Sequence, residues 1–222
     1  MTMFDMVNST IPMEFSLSRK GVDDMRRFMI LSFLVLFLSS VGLFNCNTVE
    51  AKQALIVIFE WFGETPYSET RSILENKGVK VIVASSSVEP MSGGDKKLTV
   101  KPDMLLSQVR TTEYDAIVFI GGYRYPGDNS DAIRIAKEGA SKGKVLASYA
   151  SGTFTLIKAD LLKGKKIATN IEDFWVKKAG ATKSSAPVER DGIIITGTSS
   201  IIESASQQFA ETIAAALTAG SQ

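Results

Sequence analysis

The stretch VLASYASGTF, Val145–Phe154, runs from an apolar segment through three small residues into a second apolar segment. A strand that turns sharply into a helix is the geometry that presents a nucleophile at the end of a sheet. That makes Ala150, Ser151 and Gly152 the first place to look for chemistry, and only Ser151 among them carries a nucleophilic atom. A serine hydroxyl needs an adjacent base, yet the chain contains no histidine, and neither a lysine nor a carboxylate stands beside Ser151. The other role open to Ser151 is structural: capping the following helix or hydrogen-bonding the backbone of the turn. The single cysteine, Cys46, lies in an apolar leader. Cys–His and Ser–His–Asp chemistry and disulfides within the domain are therefore excluded by count. The commonest zinc ligand is missing too, and neither a metal nor a cofactor is expected.

Two further stretches hold candidate site residues. EWFGETP offers Glu60 and Glu64, either of which is a ligand acceptor or a lone acid–base group, and one carboxylate supplies only part of an acid–base cycle. GGYRYPGD, Gly121–Asp128, is rich in glycine but lacks both the GK[ST] ending and the GxGxxG spacing of phosphate-binding loops. Its Arg124 reads as a solvated side chain, with an anionic ligand as the alternative. The aromatics Phe59, Trp61, Phe62, Tyr67, Tyr123 and Tyr125 either line a cleft or belong to the core or a subunit contact.

The elements that must position these residues alternate along the chain. ALIVIFE (54–60), VKVIVAS (79–85), DAIVFIGG (115–122), 144–149, KKIATN (165–170) and DGIIITGTS (191–199) read as strands. Helices are expected over 66–77, 103–110, 130–139, 153–162 and 202–217, with a polar excursion at 86–97. Continuous apolar strands separated by helices imply a parallel sheet covered on both faces. In such folds ligands sit beyond the carboxyl ends of the strands, where the loops holding Glu60–Glu64, Gly121-Gly122 and Ala150–Gly152 converge. Residues 53–222 read as one domain. The balance of 25 basic and 24 acidic residues makes no case for nucleic-acid binding.

Residues 1–52 read as an N-terminal extension. Arg26 and Arg27 precede an uncharged apolar run over 28–45, and small residues follow at Val49 and Ala51. That order fits a secretory signal cleaved after Ala51. An uncleaved membrane anchor is the alternative, since the run is near the minimum length for a span. In both cases the domain is placed outside. Translation starts at Met1 or Met25.

The segments VKPDMLLSQVRTTEYDAIVFIGG, VLASYASGTFTLIKADLLKGKKIATN and DGIIITGTSSIIESASQQFAETIAAAL together resemble the DJ-1/PfpI (ThiJ/PfpI) superfamily over nearly all of 53–222. The resemblance implies a flavodoxin-like three-layer α/β/α sandwich with a mostly parallel sheet, usually dimeric. Family members include peptidases, amidases, glyoxalase-type enzymes, hydratases and stress-response proteins. It also implies a cysteine at the elbow, supported by a glutamate from the loop after the first strand. Carried onto this chain, the elbow cysteine position is Ala150, followed by Ser151 and the elbow glycine Gly152. The supporting glutamate falls on Glu64, with Glu60 as the alternative, and Gly121-Gly122 match the glycine pair that lines the pocket. The expectation is an exported domain without cysteine-dependent catalysis, binding a small molecule or protein partner through Glu64, Gly121, Gly122, Ala150, Ser151 and Gly152. The alternatives are a residual hydrolase, amidase or glyoxalase-type enzyme using Glu64 and Ser151, and an interaction protein acting through its dimer surface.

Overall fold

The structure is a computed structural model that describes residues 51–199 and 204–219. The expected leader, with its apolar run and Cys46, lies outside the described residues. Among the described residues no helix is long and apolar enough to cross a membrane.

Strand β1 (Gln53–Val57) is flanked by β2 (Lys80–Ser85) and β6 (Ala116–Ile120), all parallel. Beyond β6 lie β7 (Val145–Tyr149) and β11 (Ile194–Gly197), also parallel, and then the antiparallel edge strand β10 (Val188–Asp191). Beyond β2 lies the short β5 (Met104–Leu105), completing the order β10-β11-β7-β6-β1-β2-β5. The central strands β1, β6, β7 and β11 are buried on both faces, and their side chains divide with period two. Ala54, Ile56 and Ile58 join one core with Val118, Ile120 and Tyr149, while Leu55, Val57 and Phe59 join the other with Ile117, Phe119 and Leu146. The first core is covered by helices α1 (Glu64–Asn76) and α5 (Ala205–Ala219), through Tyr67, Leu74, Phe209 and Ile213. The second is covered by α2 (Ser130–Ser141) and α3 (Thr153–Lys158), through Ile135, Ala136, Leu156 and Ile157. Each fully buried aliphatic side chain contributes about 1.5–3 kcal/mol, so two such cores account for a sheet with no face left to water. The result is the expected flavodoxin-like α/β sandwich.

Four expectations need correction. The segment 103–110 is not a helix: it forms β5 and a 3-10 turn over Leu106–Gln108. Asp103 decides this, because its amide donates to the Val83 carbonyl (2.8 Å) and its Oδ2 accepts from the Val83 amide (2.8 Å), clamping the chain in extended form beside β2. The helix expected to reach residue 162 ends at Lys158, and Asp160 follows in the left-handed region at φ 59°. The expected strand over 191–199 is the return arm of a hairpin, in which Gly192 (φ 67°) reverses the chain between β10 and β11. The strand expected over 165–170 shrinks to β8 (Lys166–Ile167), which pairs with β9 (Thr182–Lys183) outside the main sheet. A short helix, α4 (Asp173–Lys178), stands between them. The polar excursion does carry a hairpin, β3 (Met91–Ser92) with β4 (Thr99–Val100).

Candidate functional site

The chain moves outward from β1 to β2 and β5, then crosses back to β6 on the other side of β1. Loops leaving β1 and β6 diverge at that switch point, and a crevice opens there. A cleft of about 780 Å³ occupies it. Its wall includes Trp61–Pro66 after β1, Gly121–Tyr123 after β6 and Tyr149–Ser151 after β7. Gly94, Asp95, Phe154, Asn170–Glu172, Trp175, Ser199 and Ser206 complete the lining.

The elbow has the geometry its sequence suggests. Ala150 sits at φ 50°, the left-handed region, at the start of a 3-10 turn (Ala150–Gly152) that runs into α3. Holding a non-glycine residue there costs roughly 1–2 kcal/mol. Ala150→Gly removes that strain but adds unfolded-state entropy of about 0.5–1 kcal/mol and gives up a methyl packed against the core. The variant should melt at or slightly above the parent temperature, and a clear drop in a thermal scan would show Ala150 to be unstrained.

Ser151 is fully engaged. Its Oγ accepts from the Gly122 amide at 3.0 Å and donates to the Gly122 carbonyl at 3.0 Å. A hydroxyl has one proton to give, and this one goes to a carbonyl that cannot act as a base. Ser151 thus has a structural role, but neither of the two expected: it caps no helix and bonds no backbone of its own turn, and instead clamps the glycine loop that follows β6. The Gly121 amide is also committed, donating to the Tyr149 carbonyl at 3.0 Å. Gly152 does not reach the cleft wall. It is buried behind the wall, where a Cβ would run into the Phe119 carbonyl.

Of the two carboxylates, Glu64 lines the cleft and Glu60 does not. Glu64 is the first residue of α1, where its charge suits the helix dipole. Its Oε1 accepts from the Lys97 amide at 3.1 Å, and its side chain lies against Gly93. Glu60 is exposed and accepts instead from the Ser92 amide at 3.2 Å. The loop between them is tied down on two sides. The Trp61 amide donates to Ser92 (2.8 Å), and the Trp61 carbonyl accepts from Tyr123 (2.9 Å). Trp61 itself is left-handed at φ 67°, as is Arg124 at φ 55°, and the Arg124 guanidinium stacks 5.3 Å from the Trp61 ring. Arg124 is thus not simply solvated. Three left-handed non-glycine residues, Trp61, Arg124 and Ala150, stand beside one cleft.

The aromatic set divides. Trp61, Phe62 and Tyr123 reach the cleft, while Phe59 and Tyr125 pack edge-to-face in the core and Tyr67 packs against Phe62. Burial pushes the Tyr149 hydroxyl above its usual range, against the opposing effect of a hydrogen bond with Ser206. Phenol at the back of the cleft therefore stays protonated at neutral pH. Among the described residues no three carboxylates or thiols lie close enough to hold a metal ion.

Sequence reasoning missed Asp95, Phe154, Glu172 and Trp175. The last two belong to the entry and first turn of α4, whose signal was present. EDFWVKKAG places acids at the start, lysines in the last turn and Gly180 beyond, the charge order a short helix prefers. The Trp175 ring meets Phe154 edge-on at 5.9 Å, with the Lys158 and Lys178 ammonium groups 5.7 and 5.3 Å from its centre.

Comparison with known proteins agrees with this architecture. The model of the DJ-1/PfpI family matches residues 52–216. An uncharacterized protein of Methanocaldococcus jannaschii is 29% identical over 189 residues, covering 79% of this chain and 90% of its own. A protein of Pyrococcus abyssi named a deglycase is 36% identical over 124 residues, 54% of this chain and 73% of its own. The crystal structure of a ThiJ/PfpI domain protein from Brachyspira murdochii superposes with a TM-score of 0.70 at 24% identity, covering 76% of this chain and 96% of that one.

Proposed function

This chain belongs to the DJ-1/PfpI family, and we propose that it is an exported member without cysteine-dependent catalysis that binds a small molecule in the switch-point cleft. The observation that carries this reading is the elbow. It holds Ala150 in the strained geometry of a nucleophile, while the neighbouring hydroxyl of Ser151 is tied to Gly122. With no histidine in the chain and its one cysteine at position 46, no replacement pair is available. What is left at the switch point is a cleft of a size that holds a small ligand. Export rests on the arginine-flanked apolar run over 28–45. A homodimer is the expected assembly, and membrane attachment follows only if that run is retained.

Native mass spectrometry of the protein as purified from its exporting host tests the reading. It reports a retained ligand, the assembly state and, through the subunit mass, cleavage after Ala51. A second reading takes its support from the relatives named deglycases: residual chemistry through Glu64 and Ser151. We expect no turnover of a small dicarbonyl or an amide above background. Turnover that disappears in Glu64→Gln would replace the binding reading with the enzymatic one.

A further inference from the structure

The cleft wall carries charge of one sign. Glu64, Asp95 and Glu172 reach it, and among the described residues no lysine or arginine does. None of these carboxylates is ion-paired among the described residues. The amides of the glycine pair are not free for an anion, since Gly121 donates to Tyr149 and Gly122 to Ser151. The three carboxylates are too dispersed for a metal ion. The same wall presents the aromatic side chains of Trp61, Tyr123, Phe154 and Trp175 among small and polar residues. Indole faces attract cations within about 6 Å, and here the chain's own Arg124, Lys158 and Lys178 settle on both indoles without entering the lining.

Resting on the binding reading above, we propose that the cleft takes an organic cation with an apolar body, a primary or quaternary amine. Its charge lies among the carboxylates and its body against the aromatic rings. An anion of the same shape meets three like charges on entry.

The chain has two tryptophans, Trp61 and Trp175, and both line the cleft, so indole emission reads the cleft directly. The experiment titrates the protein with three probes of closely matched shape: protonated 3-phenylpropylamine, 3-phenylpropanol and 3-phenylpropionate. The cation should bind about tenfold more tightly than the alcohol, and the carboxylate most weakly. Raised salt should shrink the cation's advantage, because the carboxylates are partly exposed. Asp95 and Glu172 are exposed, and neither side chain is ion-paired among the described residues, so Asp95→Asn with Glu172→Gln should fold normally. That double variant should weaken the cation roughly threefold or more and leave the alcohol unchanged. Equal binding of cation and alcohol, or preference for the carboxylate, overturns the cation assignment while leaving a binding cleft. Silence from all three probes at millimolar concentration overturns the binding reading and the cation assignment with it.

Discussion

Gly152→Ala should lower the melting temperature by roughly 6–12 °C. The reason is the closeness of two strand ends. A Cβ on Gly152 would collide with the Phe119 carbonyl, and the Gly121 amide nitrogen lies 3.1 Å from the same point. These obstacles are backbone atoms of the central strands, not the ends of flexible side chains, so β6 and the elbow must separate to admit a methyl group. Overpacking of this kind costs about 3 kcal/mol at the upper end of its usual range. A domain of this size loses about 2–4 °C per kcal/mol. Circular dichroism melts measure the change directly. A fall of less than about 2 °C would show that the elbow can move away from β6, and the cleft would then be softer than its hydrogen bonds imply.

Ser151→Ala should cost roughly 2 kcal/mol and some 4–8 °C of melting temperature. The substitution deletes one side chain but strands two groups, the amide and the carbonyl of Gly122, both of which the hydroxyl satisfies. Leaving a partly buried polar group unpaired costs about 1–3 kcal/mol. Hydrogen exchange of the Gly122 amide should accelerate in the variant, a change that a nucleophilic role would not produce. The opposite pattern, an unchanged melt with loss of a measurable turnover, would return Ser151 to chemistry. The two variants probe one arrangement from two sides, since Gly152 lets the elbow approach β6 and Ser151 locks the loop that follows β6. Their effects should therefore not add.

Much of this arrangement was legible before any coordinates. Continuous apolar runs such as ALIVIF required strands buried on both faces, and the alternation with helices required a parallel sheet. Small residues after β6 and β7 marked the places where backbone had to approach backbone. Signals failed where a distant partner outweighed local pattern. Asp103 draws 104–105 into the sheet edge through Val83, against a helix-like sequence. Glu60 and Glu64 are equivalent carboxylates in one short loop, and only the paths of Trp61 and the Ser92–Lys97 segment direct Glu64 to the cleft. Trp175 and Glu172 lie 25 and 22 residues beyond Ala150, on a helix too short for periodicity to reveal.

The sequence by itself determined the layer order, the small-residue elbow and the lack of any histidine or domain cysteine to work there. These follow from composition and from periods of two and 3.6 residues, which are local properties. Only the tertiary structure decided that Ser151 is bound to Gly122, that Arg124 lies on Trp61 and that three carboxylates and two indoles share one cleft. Those facts depend on loops from separate strands meeting at the switch point, and the geometry of that meeting is set by sheet order, which no local pattern encodes.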